Sequence, residues 1–276
     1  MELSVYYRVT PAGNGKPRPS WFSKAAALRS LRAALDRVPG ARLTYVADSG
    51  VPAELAELVG GSEVVRVRGG TAAASFRRLL DVAVPRAATD PGGLVWFAED
   101  DYVYRPDALV RLLEAAAALP EADYFGLYTP DNADWHARTP SQPGRRGPAA
   151  RWDVAGTSWR RTWDSTSTYG LRARVLHQDA RLLRLWTHSG GPWDHTTVSA
   201  VQGVPPYDLR RLYGDLFLRW SRASAGRVLT RPLLRTVADL SALGRARTWV
   251  APVRDLATHV EPGHLSPAED WAAYVS

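Results

Sequence analysis

The chain has 276 residues, 45% of them hydrophobic, a formal net charge of +7 and no cysteine. That length and apolar content can bury a sizeable core, which excludes a largely disordered chain and sets the expected scale at one large α/β domain. Without cysteine there are no disulfides, thiolate metal sites or thiol nucleophiles, and the positive charge is scattered through mixed segments, so it forms no basic tail of the kind that grips nucleic acid.

The opening MELSVYYRVT has no charged-then-apolar signal pattern, and no apolar run reaches membrane-spanning length. The expectation is a cytoplasmic protein with no membrane span. Residues 3–9 read as a strand, 11–19 as a Gly/Pro-rich basic loop, and 23–35 as a helix capped by Ser23. A second strand over 42–47 ends on Asp48, Ser49 and Gly50, followed by a helix over 51–59 that stops at Gly60 and Gly61. A third strand covers 63–67 and a helix 72–84. Residues 94–98 are continuously apolar, as in the middle of a parallel sheet buried on both faces. Pro106 and Asp107 open a helix to Leu119, a fifth strand spans 124–128, and 129–151 is a long polar loop. Further on, 165–171 reads as a strand, 174–187 as a helix, 194–201 as the start of a helix, and 207–221 as an aromatic helix. Trp152, Trp159 and Trp163, spaced by seven and four, fit one face of a helix packed on a core.

Ligands in open α/β sheets bind outside the carboxyl ends of the strands, which directs attention to Asp48 and to the run Glu99, Asp100, Asp101. Three adjacent acids repel one another, and each is costly to desolvate unless a cation is present. Magnesium or manganese lifts that penalty and keeps positions that a diphosphate can fill. The bland alternative is a turn ahead of the helix at Pro106. The span YYRVTPAGNGKPRPSW adds Arg8, Thr10, Lys16 and Arg18, a candidate grip on a pyrophosphate and base that lacks a Walker pattern.

In its context, WFAEDDYVYRPDAL, the acidic run resembles the DxD-type motif of nucleotide-sugar-dependent GT-A glycosyltransferases of the family 2-like kind, with Glu99 where the first Asp is usual. The resemblance implies the GT-A fold, a Rossmann-like, mainly parallel sheet flanked by helices with an irregular acceptor-side region towards the carboxyl terminus. A single catalytic domain over 1–276 would divide into a nucleotide-sugar half at 1–128 and an acceptor half at 129–276. Asp101 is then the direct metal ligand, and Glu99 or Asp100 faces the ribose or a metal-bound water. TYVADSG resembles the segment whose acid, here Asp48, accepts a hydrogen bond from the nucleotide base, although Asp before Ser-Gly equally makes a turn. GGTAAASFRRLLDVAV resembles the helix preceding the motif, from which Ser75, Arg77 or Arg78 approaches the nucleotide.

The same likeness makes His259, in DLATHVEPGHLSPAEDW, the late histidine that closes the metal site, with His264 as its competitor. Asp194, in SGGPWDHTTVSAV, stands where inverting members carry the base that deprotonates the acceptor, though with Thr197 it also makes an ordinary helix opening. Trp193 either stacks on a sugar or packs in the core, and His195 either assists Asp194 or faces solvent.

The leading expectation is therefore a Mn2+- or Mg2+-dependent transferase moving a hexose-type sugar from a nucleotide-diphosphate donor to a small-molecule, glycan or peptide-linked acceptor, with inversion. Two other classes remain open: a sugar-phosphate nucleotidyltransferase, which GNGKPR resembles only faintly, and a non-catalytic nucleic-acid-binding protein, which rests on charge and aromatics alone.

Overall fold

Four apolar runs rich in Val, Tyr and Leu form parallel strands: β1 (Leu3–Val9), β2 (Arg42–Asp48), β3 (Glu63–Val67) and β4 (Leu94–Glu99). The computed structural model describes residues 1–13, 15–130, 150–189, 193–207, 225–267 and 269–275. Five shorter strands extend the sheet: β6 (Tyr124–Phe125), β7 (Arg151–Val154), β8 (Thr157–Arg161), β9 (Tyr169–Arg172) and β10 (Trp249–Pro252). Their order is β3-β2-β1-β4-β9-β6-β10-β8-β7, and β8 and β9 are the two that run against the rest. A separate two-stranded ladder pairs β5 (Tyr102–Tyr104) with β11 (Ala257–His259).

Helices cover both faces of the large sheet, as expected of a mainly parallel α/β architecture. On one face α1 (Lys24–Leu35) and α4 (Ala108–Ala118) bury Leu28, Leu31, Leu109 and Leu112 against Tyr7, Tyr45 and Trp96. On the other, α3 (Ala72–Thr89), α5 (Ala173–Trp186), α6 (Trp193–Val201) and α7 (Ala225–Ala242) pack on Tyr6, Val46, Phe97 and Tyr169 through residues such as Phe76, Leu80, Leu183, Val198 and Ala238. Each large apolar side chain buried in this way contributes roughly 1.5–3 kcal/mol. No helix among the described residues is long and apolar enough to cross a membrane.

Local sequence explains most boundaries. Ser23 caps α1 by accepting the Ala26 amide at 3.0 Å, and Thr71 caps α3 by accepting that of Ala74 at 3.2 Å. Helix α3 runs through Pro85 to Thr89 instead of ending at 84. Beyond the proline its last turn is held by buried Ala87 and by Arg86, which pairs with Glu63 at 2.6 Å and donates to Thr44 Oγ1 at 3.1 Å, so tertiary contacts outweigh the missing amide. The expected helix over 51–59 is a 3-10 turn, Ala53–Leu55, followed by the single turn α2 (Ala56–Val59).

The tryptophan stripe requires a larger correction. Trp152 and Trp159 do not lie on a helix but face each other as partners across the antiparallel pair β7 and β8. Their spacing of seven follows from a turn centred on Ala155 and Gly156, both at positive φ (48° and 79°), midway between them. Most of the loop read at 129–151 and of the aromatic helix read at 207–221 lies outside the described residues.

Candidate functional site

Parallel pairing brings three strand ends to one edge. Arg8 lies beside Glu99 across the β1–β4 ladder, and β2 ends next to them on Asp48. Beyond these ends opens a cleft of about 570 Å3, lined by Arg8, Thr10, Lys16, Arg18, Lys24, Asp48, Ser75 and the three acids. The end of β1, the loop after it and the first turn of α1 supply its cations.

Each acid of the run holds a different cation. Arg8 pairs with Glu99 and also donates to the Ala72 carbonyl at 3.0 Å; Lys24 lies 2.9 Å from Asp100 Oδ2; Arg18 lies 2.9 Å from Asp101 Oδ2. The Thr10 amide adds a bond to Asp100 Oδ2 at 3.3 Å. Alternation along the chain separates the acids, so that Glu99 shares the face of Phe97 and α3 while Asp100 lies towards α1. Burial, with the Asp101 carboxylate adding to it, pushes Glu99 up to about 7 against the pull of Arg8. Burial also raises Asp100, opposed by Lys24. At Asp101 burial works in the same upward direction, but His259 and Arg18 together overcome it and hold the carboxyl well below the usual range.

His259 arrives from far along the chain. The β5–β11 ladder sets it opposite Tyr102, its ring stacks on that phenol at 5.0 Å, and the Val260 amide donates to the Asp101 carbonyl at 2.9 Å. Its Nε2 then lies 3.1 Å from Asp101 Oδ2. His264 lies beside it, the two ring centroids 5.9 Å apart. Glu261, which sequence reasoning passed over, has Oε2 3.6 Å from His259 Nε2 and 2.8 Å from Lys16 Nζ. Asp101 and His259 offer one oxygen and one imidazole donor to a divalent ion; among the described residues no group of three or more His, Cys, Asp and Glu is arranged to hold one. That donor set fits an ion completed by phosphate oxygens and water, the habit of magnesium and manganese at diphosphates.

Asp48 is tied into the scaffold. Its Oδ1 accepts the Gly69 amide at 2.8 Å and its Oδ2 the Gly70 amide at 3.2 Å, and Ser49 Oγ lies 3.3 Å away. Burial would raise its pKa, yet these donors and Ser75 hold it below its ordinary value of 3.8. The approach demands glycine, since a Cβ at residue 69 would meet Ser75 N at 2.5 Å and Asp48 Oδ2 at 2.8 Å. Arg77 turns from this edge towards α5 and donates to Thr187 Oγ1 at 2.8 Å. Asp194 occupies the first turn of α6, half-buried, and its charge reaches both Glu99 and Tyr169. Its neighbour Trp193 packs on Phe76 with ring centroids 4.4 Å apart and belongs to the core.

Lys24 was missed by sequence reasoning although a signal existed. A lysine in the first turn of a helix stands at the positive end of the macrodipole, where acids are favoured, and such a misplaced cation calls for a nearby anion.

Comparison with models of known protein families finds no match, and comparison with curated proteins finds none either. Among solved structures the chain is similar to a CMP:2-keto-3-deoxy-manno-octonic acid synthetase complexed with CTP, at 17% identity, 66% of this chain, 78% of the other and a TM-score of 0.41. It is similar to a 4-diphosphocytidyl-2C-methyl-D-erythritol synthase at 14% identity, over 84% and 97% of the two chains, with a TM-score of 0.40. A third likeness is to the apo form of mouse xyloside xylosyltransferase 1, at 14% identity over 72% and 80%, TM-score 0.40.

Proposed function

We propose that the chain is a metal-dependent glycosyltransferase of the GT-A kind, one catalytic domain that takes a nucleotide-diphosphate sugar in the cleft beyond β1, β2 and β4. One observation carries this reading: His259, 158 positions from Asp101 in sequence, lies 3.1 Å from it in a cleft that also presents Arg8, Arg18 and Lys24. An oxygen and an imidazole donor beside several cations suit a metal-bound diphosphate better than either a bare phosphate or a base.

In this reading Asp101 and His259 hold Mn2+ or Mg2+, which when bound supplies positive charge to the departing diphosphate. Arg8, Lys16, Arg18 and Lys24 line the same cleft and neutralise the remaining phosphate charge, with Thr10 at the rim. Asp48 shapes the Gly69–Gly70 turn against which the nucleotide rests, a positioning role consistent with its engaged carboxylate. Glu99 and Asp100 orient the cations and the ribose. Asp194, from α6 on the Glu99 face, accepts the proton of the acceptor hydroxyl. That oxygen bonds to the anomeric carbon as the bond from this carbon to the diphosphate oxygen breaks, its electron pair leaving with the nucleoside diphosphate. Inversion follows.

Four cations lining one cleft, Arg8 from β1, Lys16 and Arg18 from the loop after it and Lys24 from α1, favour one second reading, nucleotidyl transfer, in which a triphosphate is gripped there and pyrophosphate departs. Product analysis separates the two: glycosyl transfer releases a nucleoside diphosphate, and release of pyrophosphate would replace the leading reading with the second. The anomeric coupling of the first product tests the base, since a product retaining the donor configuration removes that role from Asp194.

A further inference from the structure

Arg18 and His259 converge on one atom. The guanidinium lies 2.9 Å from Asp101 Oδ2, the same oxygen that His259 Nε2 approaches to 3.1 Å. Its other nitrogen donates to the Val260 carbonyl and its plane lies over the Phe22 ring, 5.2 Å from the centroid. The side chain is 16% exposed and reaches the cleft, so its charge is both well held and close to any ligand. A divalent cation at Oδ2 would sit against that guanidinium, like charge against like. A diphosphate entering the cleft offers paired oxygens, the bidentate partner that suits a guanidinium fork better than a single carboxylate oxygen.

We propose that Arg18 is an exchange residue, which holds Asp101 until a diphosphate takes its guanidinium, so that the divalent ion and the nucleoside diphosphate bind this chain as a mutually dependent pair. The inference rests on the donor reading above and deepens it. Linkage makes the dependence reciprocal: whatever factor the diphosphate adds to metal affinity, the metal adds to diphosphate affinity. Lys24 and Arg8, whose carboxylates Asp100 and Glu99 are not the proposed ligands, have no such competitor.

The test is calorimetry and Mn2+ electron paramagnetic resonance on the whole chain, titrating Mn2+ alone, UDP, GDP, ADP and CDP alone, and each with the other present, after correction for the Mn2+–nucleotide complex formed in buffer. The wild type should bind Mn2+ alone weakly, and one diphosphate should strengthen it by about tenfold or more, within the range usual for coupled sites. Arg18→Gln should bind Mn2+ alone more tightly than wild type, bind the diphosphate alone more weakly, and lose most of the coupling. Arg18→Lys, which keeps the charge but not the fork, should keep the weak Mn2+ binding and still lose diphosphate affinity, and it serves if Arg18→Gln fails to fold. Equal Mn2+ affinity in wild type and Arg18→Gln, or undiminished coupling in a folded variant, overturns the exchange role while leaving the donor reading standing. If no diphosphate binds the wild type even with Mn2+, the donor reading falls and the exchange role falls with it.

Discussion

At Asp179 a fully buried carboxylate receives Arg245 Nη1 at 2.7 Å, Arg247 Nε at 3.1 Å and the Tyr124 hydroxyl at 2.8 Å. At the end of β4, by contrast, three half-buried carboxylates receive one leading cation each, from a strand end, a loop and a helix start. The ingredients are alike and the arrangements opposite. Asp179 has several donors on one acid and ties α5 to the irregular segment that leads into β10. The acidic run spreads its cations over a cleft of about 570 Å3. Charge density alone therefore does not mark a site; the opening beside it does.

Three substitutions sharpen that contrast, taken from the largest effect. Asp194→Asn should lower kcat by about 10²- to 10⁴-fold, the usual worth of a positioned base, while nucleoside diphosphate affinity measured by calorimetry stays at the wild-type value. A kcat within a few-fold of wild type would remove Asp194 from the chemistry. Asp179→Asn should act on stability instead, leaving two guanidinium groups beside a neutral amide at a cost of about 3–5 kcal/mol. The melting temperature should fall by on the order of 10 °C, with nucleotide binding preserved below the transition. If binding were lost in the folded variant, the division between the two clusters would fail.

The smallest effect belongs to Asp48→Asn, which weakens the bonds to the Gly69 and Gly70 amides and should cost about 1–3 kcal/mol. Its pH dependence has a definite sign. The folded carboxyl lies below its ordinary 3.8, so its stabilisation is present above that value and is lost as the pH falls through the lower folded value. Urea midpoints of wild type and Asp48→Asn should accordingly differ at neutral pH and converge in acid. A constant difference down to the lowest pH would mean that the hydrogen bonds, not the ionised carboxylate, carry the effect.

Much of the scaffold was legible because its signals are local. β4 is an unbroken apolar run up to Glu99, β1, β2 and β3 are short runs rich in Val, Tyr and Leu, and α1 announces itself through Ser23. The polar residues after β2 and β4 were found by the same logic, since the parallel pattern says which strand ends face a ligand. What escaped depends on distant partners. β5 and β11 are three residues each and exist through their mutual pairing, and β10 is completed by β6 and β8. Trp152 and Trp159 carried a helical spacing that a hairpin centred on Ala155 and Gly156 produces equally well, and Ala-Gly is a weaker hairpin signal than Asn-Gly. His259 was legible by type and position, whereas its 3.1 Å approach to Asp101 and the roles of Lys24 and Glu261 required the folded chain. Arg77 could not have been sorted from Ser75 by sequence, because the packing of α3 decides that Ser75 lines the cleft while Arg77 faces Thr187.

The central claim is that Asp101 and His259 hold a divalent ion for a nucleoside diphosphate. It is tested most directly by the melting temperature of wild type and of Asp101→Ala across a panel of nucleoside diphosphates, each with and without Mn2+. The account predicts that at least one diphosphate raises the wild-type melting temperature only with Mn2+, and that folded Asp101→Ala shows no such rise. An equal, Mn2+-dependent rise in Asp101→Ala would contradict it.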